Sequence, residues 1–526
     1  MSAKAAALAA AIAIASACGR GEPGATAKPA EAQRGGTLVV GAITDADAWN
    51  EYVSQQTAAV NLLRRMYLRL GQEQGDTKDH PPSFAPLLAS AWSFSPDGLT
   101  LTFTLRDAVW SDGTPVRASD VVFTWKAQTS KEVAWPGGSS KERIKDVHAV
   151  DDKSVAFVFD RAYPEMLADA IEGGILPEHV FDKVPFSEWR AHDWSTAGVG
   201  SGPFLLSSWK PGEEIALVRN PRYFEKDRPY LDGIVIRVVP DLGNLETQLL
   251  SGNVDLIDGV PPADAKRLSA TPGVTLLPYD NPMFDYVGWN AARPPLDDPE
   301  VRRALTLAID RQAIVDDLLF GYGRVSAGPL LSSWWPADAT LAPWPYDPKE
   351  AERILAAKGY GPGHPLAIEM MTNAGNRTRE AVAVKIQEQL AKVGVAVTPR
   401  TVEMRALREA SAAGKYDAYI GGWRFSGKLD LKGIFGSASR PPGGNNVVAY
   451  ASHETDRLID ALGAASDWRT AKTAYAGIAH RLHDDQPYTF LYEAKRLVAV
   501  GPRAKGVVVD VPADPLARLE SIWIAR

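Results

Sequence analysis

The most constraining feature of the sequence is a pair of predicted helices near its middle, at residues 294–323, PPLDDPEVRRALTLAIDRQAIVDDLLFGYG. Four apolar residues recur at helical spacing and share one face: Val301, Leu305, Ala308 and Ile309. Asp298 before Pro299 is typical of an N-cap followed by proline in the first turn. A second helix is predicted over residues 311–319, with Gly321 as its stop. This pair is expected to bury its apolar stripe against a core.

Strands and helices alternate on both sides of this pair. Downstream, strands are predicted over residues 368–372 and 395–399, with an amphipathic helix over residues 379–393 between them. Such alternation indicates a largely parallel sheet covered by helices. Upstream, Leu101, Phe103 and Leu105 alternate with polar residues, which predicts a strand with one buried face. One long strand is predicted over residues 276–290.

Several of these segments resemble the extracytoplasmic solute-binding proteins of family 5, which serve oligopeptide, dipeptide and nickel ABC transporters. The helical pair carries the resemblance, and so do residues 87–125, LLASAWSFSPDGLTLTFTLRDAVWSDGTPVRASDVVFTW. Shorter matches are GSGPF at residues 200–204, SGNVDL at residues 251–256 and YDAYIGGW at residues 416–423. The resemblance extends over residues 35–526.

The resemblance implies an α/β fold, a two-lobed periplasmic binding protein of type II, similar to cluster C, with a ligand cleft between the lobes. Lobe I is expected over residues 35–285, with an extra subdomain inserted at about residues 66–195. Lobe II is expected over residues 286–488, and residues 489–526 are expected to return to lobe I.

The N-terminus predicts export. In residues 1–18, MSAKAAALAAAIAIASAC, Lys4 precedes an apolar run that is shorter than the ~20 residues a membrane span needs. Small residues before Cys18, the only cysteine, resemble a bacterial lipobox, although Ala15 stands where Leu is usual. Cys18 is therefore expected to carry a lipid, and residues 19–34 are expected to form a flexible tether. The alternative is an ordinary signal peptide cut after Ala17.

Charge and motifs exclude several function classes. The net charge of −7 argues against nucleic acid as a partner. No GxSxG, HExxH, CxxC or nucleotide-binding loop is present, so the sequence indicates neither an enzyme nor a cofactor. His480 and His483 lie three residues apart without a third ligand at zinc-like spacing, and no metal site is predicted.

Candidate ligand-binding residues come from three places. The loop after the first predicted strand holds Thr44, Asp45, Asp47 and Trp49, because loops at the carboxyl ends of strands line ligand crevices in α/β sheets. Trp289 and Asn290 are added at the expected first crossing between lobes. The remaining candidates lie in or near the segment after residue 422: Trp423, Arg424, Phe425, Ser426, Asp430 and Asn446.

The segment after Trp423 departs from the family pattern. In peptide-binding members, an Asp three positions after this Trp pairs with the free α-amine of the peptide, and here that position is Ser426. A buried ammonium without a counter-charge costs several kcal/mol, so the departure weakens the interpretation as a peptide binder. Arg424 would suit a carboxylate of the ligand, or would pair internally with Asp417 or Asp430.

The resemblance implies the substrate-binding component of an ABC importer. It would be a monomer, lipid-anchored in the periplasm or at the cell surface, that delivers an oligopeptide or peptide-like solute to an inner-membrane permease. The alternatives are a binding protein for an oligosaccharide or an anionic metabolite, or a secreted hydrolase.

Overall fold

The computed structural model describes residues 32–425, 429–511 and 514–525. The predicted lipid-attachment residue Cys18 and the candidate ligand residue Ser426 lie outside these residues. In the described part of the chain, no helix has both the length and the apolar character to cross a membrane.

Strands and helices alternate along much of the chain. The strands are β1 (Thr37–Ala42), β2 (Gly71–Glu73), β3 (Phe84–Pro86), β4 (Ala89–Phe94), β5 (Thr100–Leu105), β6 (Ile144–Ala149), β7 (Ser154–Phe159), β8 (Phe204–Lys210), β9 (Glu214–Arg219), β10 (Gly233–Val238), β11 (Leu256–Asp258), β12 (Thr275–Asp280), β13 (Met283–Trp289), β14 (Gly323–Val325), β15 (Leu366–Asn373), β16 (Val395–Val402), β17 (Ala418–Arg424), β18 (Tyr488–Val500), β19 (Ala504–Lys505) and β20 (Trp523–Ile524). The α-helices are α1 (Thr57–Met66), α2 (Ala118–Thr129), α3 (Met166–Ile171), α4 (Glu178–Phe181), α5 (Leu242–Leu250), α6 (Pro262–Ser269), α7 (Pro299–Leu307), α8 (Arg311–Leu318), α9 (Pro348–Ala357), α10 (Arg377–Ala391), α11 (Met404–Ala412), α12 (Leu431–Phe435), α13 (His453–Ala464) and α14 (Trp468–Asp485). Short 3-10 helices cover Gly138–Lys141, Phe186–Glu188, Trp194–Thr196 and Leu519–Ser521.

Most strands join one long sheet, in the order β16-β15-β17-β13-β18-β11-β1-β10-β9-β8, with β12 and β14 also paired to β18. The pairs β15/β16, β15/β17, β1/β10 and β1/β11 are parallel. The other pairs in this sheet are antiparallel, so the prediction of a largely parallel sheet was wrong. The reason is that β8, β9 and β10 follow one another as neighbours, while β18 runs back against strands on both of its sides.

Strand β18 divides this sheet into two halves. Its first part pairs with β13 and β14, and its last part, from Lys495, pairs with β12 and β11. We call the half with β1 and β8–β12 lobe I, and the half with β13–β17 lobe II. The two-lobed α/β architecture expected from the sequence is therefore present.

The single strand predicted over residues 276–290 is in fact two strands, β12 and β13. They are separated by Asn281 and Pro282, and they pair with different parts of β18. Because proline has no backbone N–H to donate, Pro282 favours a break in the ladder at this point. The break is where the chain passes from lobe I to lobe II.

The predicted helical pair is present as α7 and α8. The apolar stripe Val301, Leu305, Ala308 and Ile309 is buried in a lobe II core that also contains residues of α9 and α10. The Asp298 side chain caps α7 by accepting a hydrogen bond from the Glu300 N–H at 2.8 Å. Arg302 lies off the stripe and is nevertheless buried, and its guanidinium donates to the carbonyls of Asp485 and Gln486 at the C-terminal end of α14.

Lobe I carries a second, antiparallel sheet in the order β4-β5-β7-β6. The side chains of Leu101, Phe103 and Leu105 are buried, as their alternation predicted. Helix α2 packs against β6 and β7 of this sheet. The sheet lies within the segment where an inserted subdomain was expected.

Candidate functional site

The two lobes are joined by two strand segments that run side by side, and we call this region the crossing. One is the connection from β12 to β13, and the other is β18 near Glu493 and Lys495. The Phe425 N–H at the end of β17 donates to the Pro282 carbonyl at 2.7 Å. The end of β17 is therefore held against the crossing, which is where a relative motion of the lobes would have to bend the chain.

A network of ion pairs spans this crossing. Asp280, the last residue of β12, accepts from Arg324 at 2.7 Å and from Lys495 at 2.6 Å. Arg324 also donates from Nε to Glu493 at 3.0 Å. Burial raises the pKa of Glu493, and Arg324 and Ser332 oppose that rise. Because each carboxylate has charged or hydrogen-bonding partners, the network is satisfied, and loss of one partner would leave a charge uncompensated.

A cavity of about 330 Å³ lies between the lobes beside this network. Lobe I contributes residues of β12, of the segment that follows β2 and of the C-terminal segment. Lobe II contributes three polar residues. The lining residues are Gly75, Thr77, Lys78, Tyr279, Asp280, Val509, Asp510 and Val511 from lobe I, and Arg324, Ser332 and Ser333 from lobe II. This volume is at the lower end of the ~300–1,000 Å³ typical of small-ligand sites.

The lobe I wall of the cavity depends on a close backbone approach. A Cβ placed on Gly75 would lie 2.2 Å from the carbonyl oxygen of Asp510, so glycine is required there. Arg518 holds the same wall by pairing with Asp510 at 3.1 Å and by donating to the Glu73 carbonyl at 3.2 Å. These contacts tie β2 to the C-terminal segment and fix the position of the Asp510 carboxylate.

Two further contacts connect the lobes directly. The Thr77 hydroxyl donates to the Ser333 carbonyl at 3.5 Å, inside the cavity. At a separate point, Arg161 donates to the carbonyls of Ala465, at 3.4 Å, and of Gly463. These carbonyls lie at the C-terminal end of α13, where a cation is favoured by the unpaired carbonyls of the helix end. Both contacts hold the lobes together in this structure.

Lobe I also contains a buried group of charges away from the cavity lining. Lys141 is almost fully buried and donates to the carbonyls of Asp169 and Glu172. Burial lowers the pKa of Lys141 to about 8, although Glu172 and Asp169 favour its charged form. Arg64 pairs with Glu51 at 3.2 Å and with Glu172 at 3.1 Å in the same group.

The candidates in the loop after β1 are used mainly within lobe I. Asp45 accepts from the Trp209 ring N–H at 3.1 Å and from the Gly212 N–H at 2.7 Å, which ties the loop to the turn between β8 and β9. Trp49 is buried and contacts Trp209 edge to face at 5.9 Å. None of these residues lines the cavity.

The other two residues of that loop, Thr44 and Asp47, are both exposed. Asp47 accepts from the Ser54 hydroxyl and from the Gln55 N–H, both at 2.6 Å, so its carboxylate stabilises the start of the segment before α1.

Three candidates are part of the lobe II framework, and their role as ligand contacts stays a prediction. Trp289 lies at the end of β13 remote from the crossing, is fully buried, and donates to the Thr489 hydroxyl at 2.9 Å. Asn290 donates to the carbonyls of Gly414 and Tyr416. Asn446 donates to the carbonyls of Gly436 and Tyr450. Their polar groups are satisfied inside the lobe, because they close loops between its strands and helices.

The candidates at the end of β17 lie near the crossing. Trp423 is half-buried and donates to the Tyr488 hydroxyl at 3.2 Å, and Phe425 is buried against Phe284 and Trp334. Asp430 caps α12 by accepting from the Gly433 N–H at 2.7 Å. Neither the two aromatic residues nor Asp430 lines the cavity.

Arg424 is exposed and donates to the side-chain oxygen of Asn281 at 3.3 Å. Partial desolvation and the nearby Arg496 lower the pKa of Arg424. Within the described residues it forms no ion pair, because Asp417 pairs with Arg293 at 2.6 Å and Asp430 is used as a cap. The internal pair with either carboxylate, expected as one possibility, is therefore absent from this part of the chain.

Four charged residues that line the cavity were not predicted from the sequence: Lys78, Asp280, Arg324 and Asp510. Asp280 offered one signal, since it is a charged residue at the point where a predicted long strand meets Pro282. The partners of these residues are far apart in sequence, so spacing alone could not bring them together. Across the described ranges, no cluster of His, Cys, Asp and Glu side chains could hold a metal ion.

Comparison with known proteins gives a consistent result. Residues 83–442 match the profile described as bacterial extracellular solute-binding proteins, family 5 middle. The oligopeptide-binding protein AppA of Bacillus subtilis is 31% identical over 511 residues, which cover 94% of this chain and 92% of that protein. Heme-binding protein A of Haemophilus influenzae is 29% identical over 451 residues, covering 80% of this chain and 81% of that protein.

Solved structures share the fold. The structure of Bacillus subtilis AppA in complex with a nonapeptide aligns with a TM-score of 0.75, covering 94% of this chain and all of that one. The ABC transporter substrate-binding protein CtaP of Listeria monocytogenes aligns with a TM-score of 0.83 at 22% identity, covering 94% of this chain and 100% of that one, which supports the fold alone. The similarity thus extends over nearly the whole chain and includes both lobes.

Proposed function

Because this chain belongs to family 5 of the bacterial extracellular solute-binding proteins, we propose that it is the substrate-binding component of an ABC importer. The solute is an oligopeptide or a peptide-like compound. The observation that carries this proposal is the 31% identity to an oligopeptide-binding protein over 94% of the chain. The polar cavity between the lobes supports it, because it offers hydrogen-bonding and charged groups from both lobes to one ligand.

The mechanism requires binding and release and no covalent chemistry. The lobes are joined by two strand segments, so they can open and close by bending near Pro282 and Glu493. A solute that contacts both lobes stabilises the closed form, because contacts with the second lobe are made only on closure. The closed, loaded protein then presents the solute to a permease, and opening releases it.

We propose small changes to the expected lobe boundaries. Lobe I comprises residues 32–281 and 495–525, and lobe II comprises residues 283–493, since strand pairing changes at these points. The inserted subdomain retains its expected range of about 66–195.

The chain acts outside the cytoplasm, in keeping with its family. We propose that Cys18 carries the lipid that holds it at the membrane. Cys18→Ala tests this: metabolic labelling with a radioactive fatty acid should mark the wild type and leave the variant unlabelled. Equal labelling of both would contradict the assignment.

Residues at the rim of the crossing remain proposals for ligand contact. Trp423, Arg424 and Phe425 lie at the end of β17, beside the connection between lobes, and Ser426 and Asp430 follow them. From lobe I, the loop of Thr44, Asp45, Asp47 and Trp49 follows the carboxyl end of β1.

One observation favours an alternative ligand. Among the described residues, Arg424 forms no ion pair, and it is exposed near the crossing. A guanidinium that forms no ion pair is suited to the bidentate binding of a carboxylate, so an anionic metabolite is the second candidate.

Native mass spectrometry of the protein purified without denaturation tests both candidates. Masses of short peptides that are lost on denaturation would support the first proposal, and the mass of an anionic metabolite would support the second. A hydrolysis product that accumulates with time would contradict a binding function. Heat-treated protein, refolded in clean buffer and remeasured, controls for adducts that bind non-specifically.

A further inference from the structure

We infer that the solute carries an anionic group, such as the terminal carboxylate of a peptide, which binds between Lys78 of lobe I and Arg324 of lobe II. This inference rests on the proposed function and specifies the ligand of the same cavity. It concerns two side chains that line the cavity from different lobes, neither of them within the segments that the family resemblance singled out.

The balance of charge around the cavity favours an anionic ligand. Both lining carboxylates already have cationic partners: Asp280 pairs with Arg324 and Lys495, and Asp510 pairs with Arg518. Lys78 is exposed at the cavity wall, and within the described ranges it forms no ion pair. The cavity therefore has one ammonium group whose charge the protein does not neutralise.

The cavity also has hydrogen-bond donors that the protein itself does not use. Arg324 uses Nε for Glu493 and one terminal nitrogen, Nη2, for Asp280, while its Nη1 makes no hydrogen bond within the described part of the chain. Ser333 lines the same space, and its backbone carbonyl is already bonded to Thr77. Lys78 and Arg324 can both donate to the two oxygens of one carboxylate, and charge-assisted bonds of this kind are about twice as strong as neutral ones.

A cationic or a neutral group would match this cavity poorly. An ammonium would have to compete with Arg324, Lys495 and Arg518 for carboxylates that they already hold. An uncharged solute would leave the Lys78 ammonium in a closing cavity without a counter-charge, which is unfavourable as water is expelled. An anion removes this cost and also links the two lobes.

The consequence is that anion binding and lobe closure are coupled. Lys78 belongs to lobe I and Arg324 to lobe II, so a carboxylate contacts both only when the lobes are close. The anionic end of the solute therefore contributes to the selection of the closed form as well as to affinity.

Calorimetric titration with matched peptides tests this. A set of tri- and tetrapeptides is prepared with either a free C-terminal carboxylate or a C-terminal carboxamide. The wild type should bind the carboxylate forms about 10-fold more tightly than the carboxamides. Lys78→Gln should reduce the affinity for the carboxylates about 10-fold and should not weaken the binding of the carboxamides. Lys183→Gln, an exposed lysine outside the cavity, should preserve the wild-type preference.

The outcomes separate the inference from the proposed function. Equal binding of both forms by the wild type would refute the role of an anionic group, while the proposal of a peptide-binding protein would stand. A carboxylate preference that survives Lys78→Gln would overturn the assignment of Lys78. If neither form bound, both proposals would be overturned. The wild-type comparison needs no variant, so the test holds even if Lys78→Gln is poorly stable.

Discussion

The buried ion pair between Asp285 and Arg379 offers a sharp test of how lobe II is held together. Arg379 Nε lies 2.7 Å from the Asp285 carboxylate, and the two side chains are 12% (Asp285) and 10% (Arg379) exposed. Arg379 also donates to the Asn373 side chain at 3.2 Å. The pair bridges α10 to β13 next to the crossing, and Gly422 of β17 leaves room for it: a Cβ there would lie 2.4 Å from an Arg379 nitrogen.

Arg379→Met keeps most of the side-chain volume and removes the charge. The Asp285 carboxylate is then buried without a counter-charge, and breaking a buried pair in this way costs about 3–5 kcal/mol. The Tm of a domain of about 200 residues falls by roughly 2–4 °C for each kcal/mol of lost stability. A loss of about 3 kcal/mol, the lower end of this range, therefore corresponds to a fall of about 6–12 °C in the Tm of lobe II.

The loss should depend on pH. Burial raises the pKa of Asp285 above its ordinary value, while Arg379 opposes the rise. Without Arg379 the pKa in the folded state rises further, so the folded state takes up a proton more readily than the unfolded state. Stability of the variant is then lost as pH rises towards that folded-state pKa, and the deficit relative to the wild type shrinks as pH falls from 8 to 5.

Differential scanning calorimetry at pH 8 and pH 5 measures both effects. Arg400→Met is the matched control, since Arg400 pairs with Glu369 at 2.9 Å in the same lobe, with the two side chains 56% and 41% exposed. An exposed pair contributes less than about 1 kcal/mol. If Arg379→Met were no more damaging than Arg400→Met, or equally damaging at both pH values, the argument from burial would be refuted.

Three further predictions follow from contacts described above. Arg161→Ala should change the Tm of either lobe by no more than about 2 °C and should weaken solute binding about 3-fold. X-ray scattering should show a larger radius of gyration for the unliganded variant than for the wild type. An unchanged radius would contradict a role of Arg161 in closure. Gly75→Ala should lower the Tm of lobe I by several degrees because its Cβ would overlap the Asp510 carbonyl, whereas Gly361→Ala, which meets open space, should not. Burial lowers the pKa of Lys141 to about 8, so the folded state releases this proton at a lower pH than the unfolded state. Between pH 8 and 10 the free energy of unfolding of the wild type should therefore rise by about 2 kcal/mol relative to that of Lys141→Met. A difference in urea unfolding that does not change with pH would contradict this.

Elements with a strong local pattern could be predicted from the sequence. The stripe of α7 and the buried face of β5 follow directly from residue spacing, because burial of one face imposes a period on the apolar residues. The cap of α7 by Asp298 is likewise local, since the accepting side chain and the donating N–H are two residues apart.

The charged network at the crossing could not be predicted in this way. Arg324 contacts Asp280 and Glu493, which are 44 and 169 residues away in the chain. Such contacts depend on strand pairing, and the sequence gives no period that would reveal them. The burial of Arg302 was missed for the same reason, because the carbonyls that it satisfies belong to the end of a helix 183 residues further on.

The candidate site shows a related limit. Trp289 was expected at the ligand because the first crossing between the lobes was placed there, yet β13 runs antiparallel to β17 and its last residue lies at the end remote from the crossing. The direction of a strand within a sheet decides which of its ends faces the second lobe. That direction is a property of the whole fold and cannot be read from the strand itself.

The path of β18 has a consequence for the order of folding. A chain made from its N-terminus completes β1, β10 and β11 long before residues 495–500 exist, yet β11 and β12 pair with those residues. The first lobe therefore has an open sheet edge throughout synthesis of the second. Contacts so distant in sequence slow folding, and an open edge invites pairing with other chains. Truncation of the last 30 or so residues should thus leave the second lobe competent to fold and the first lobe prone to aggregate.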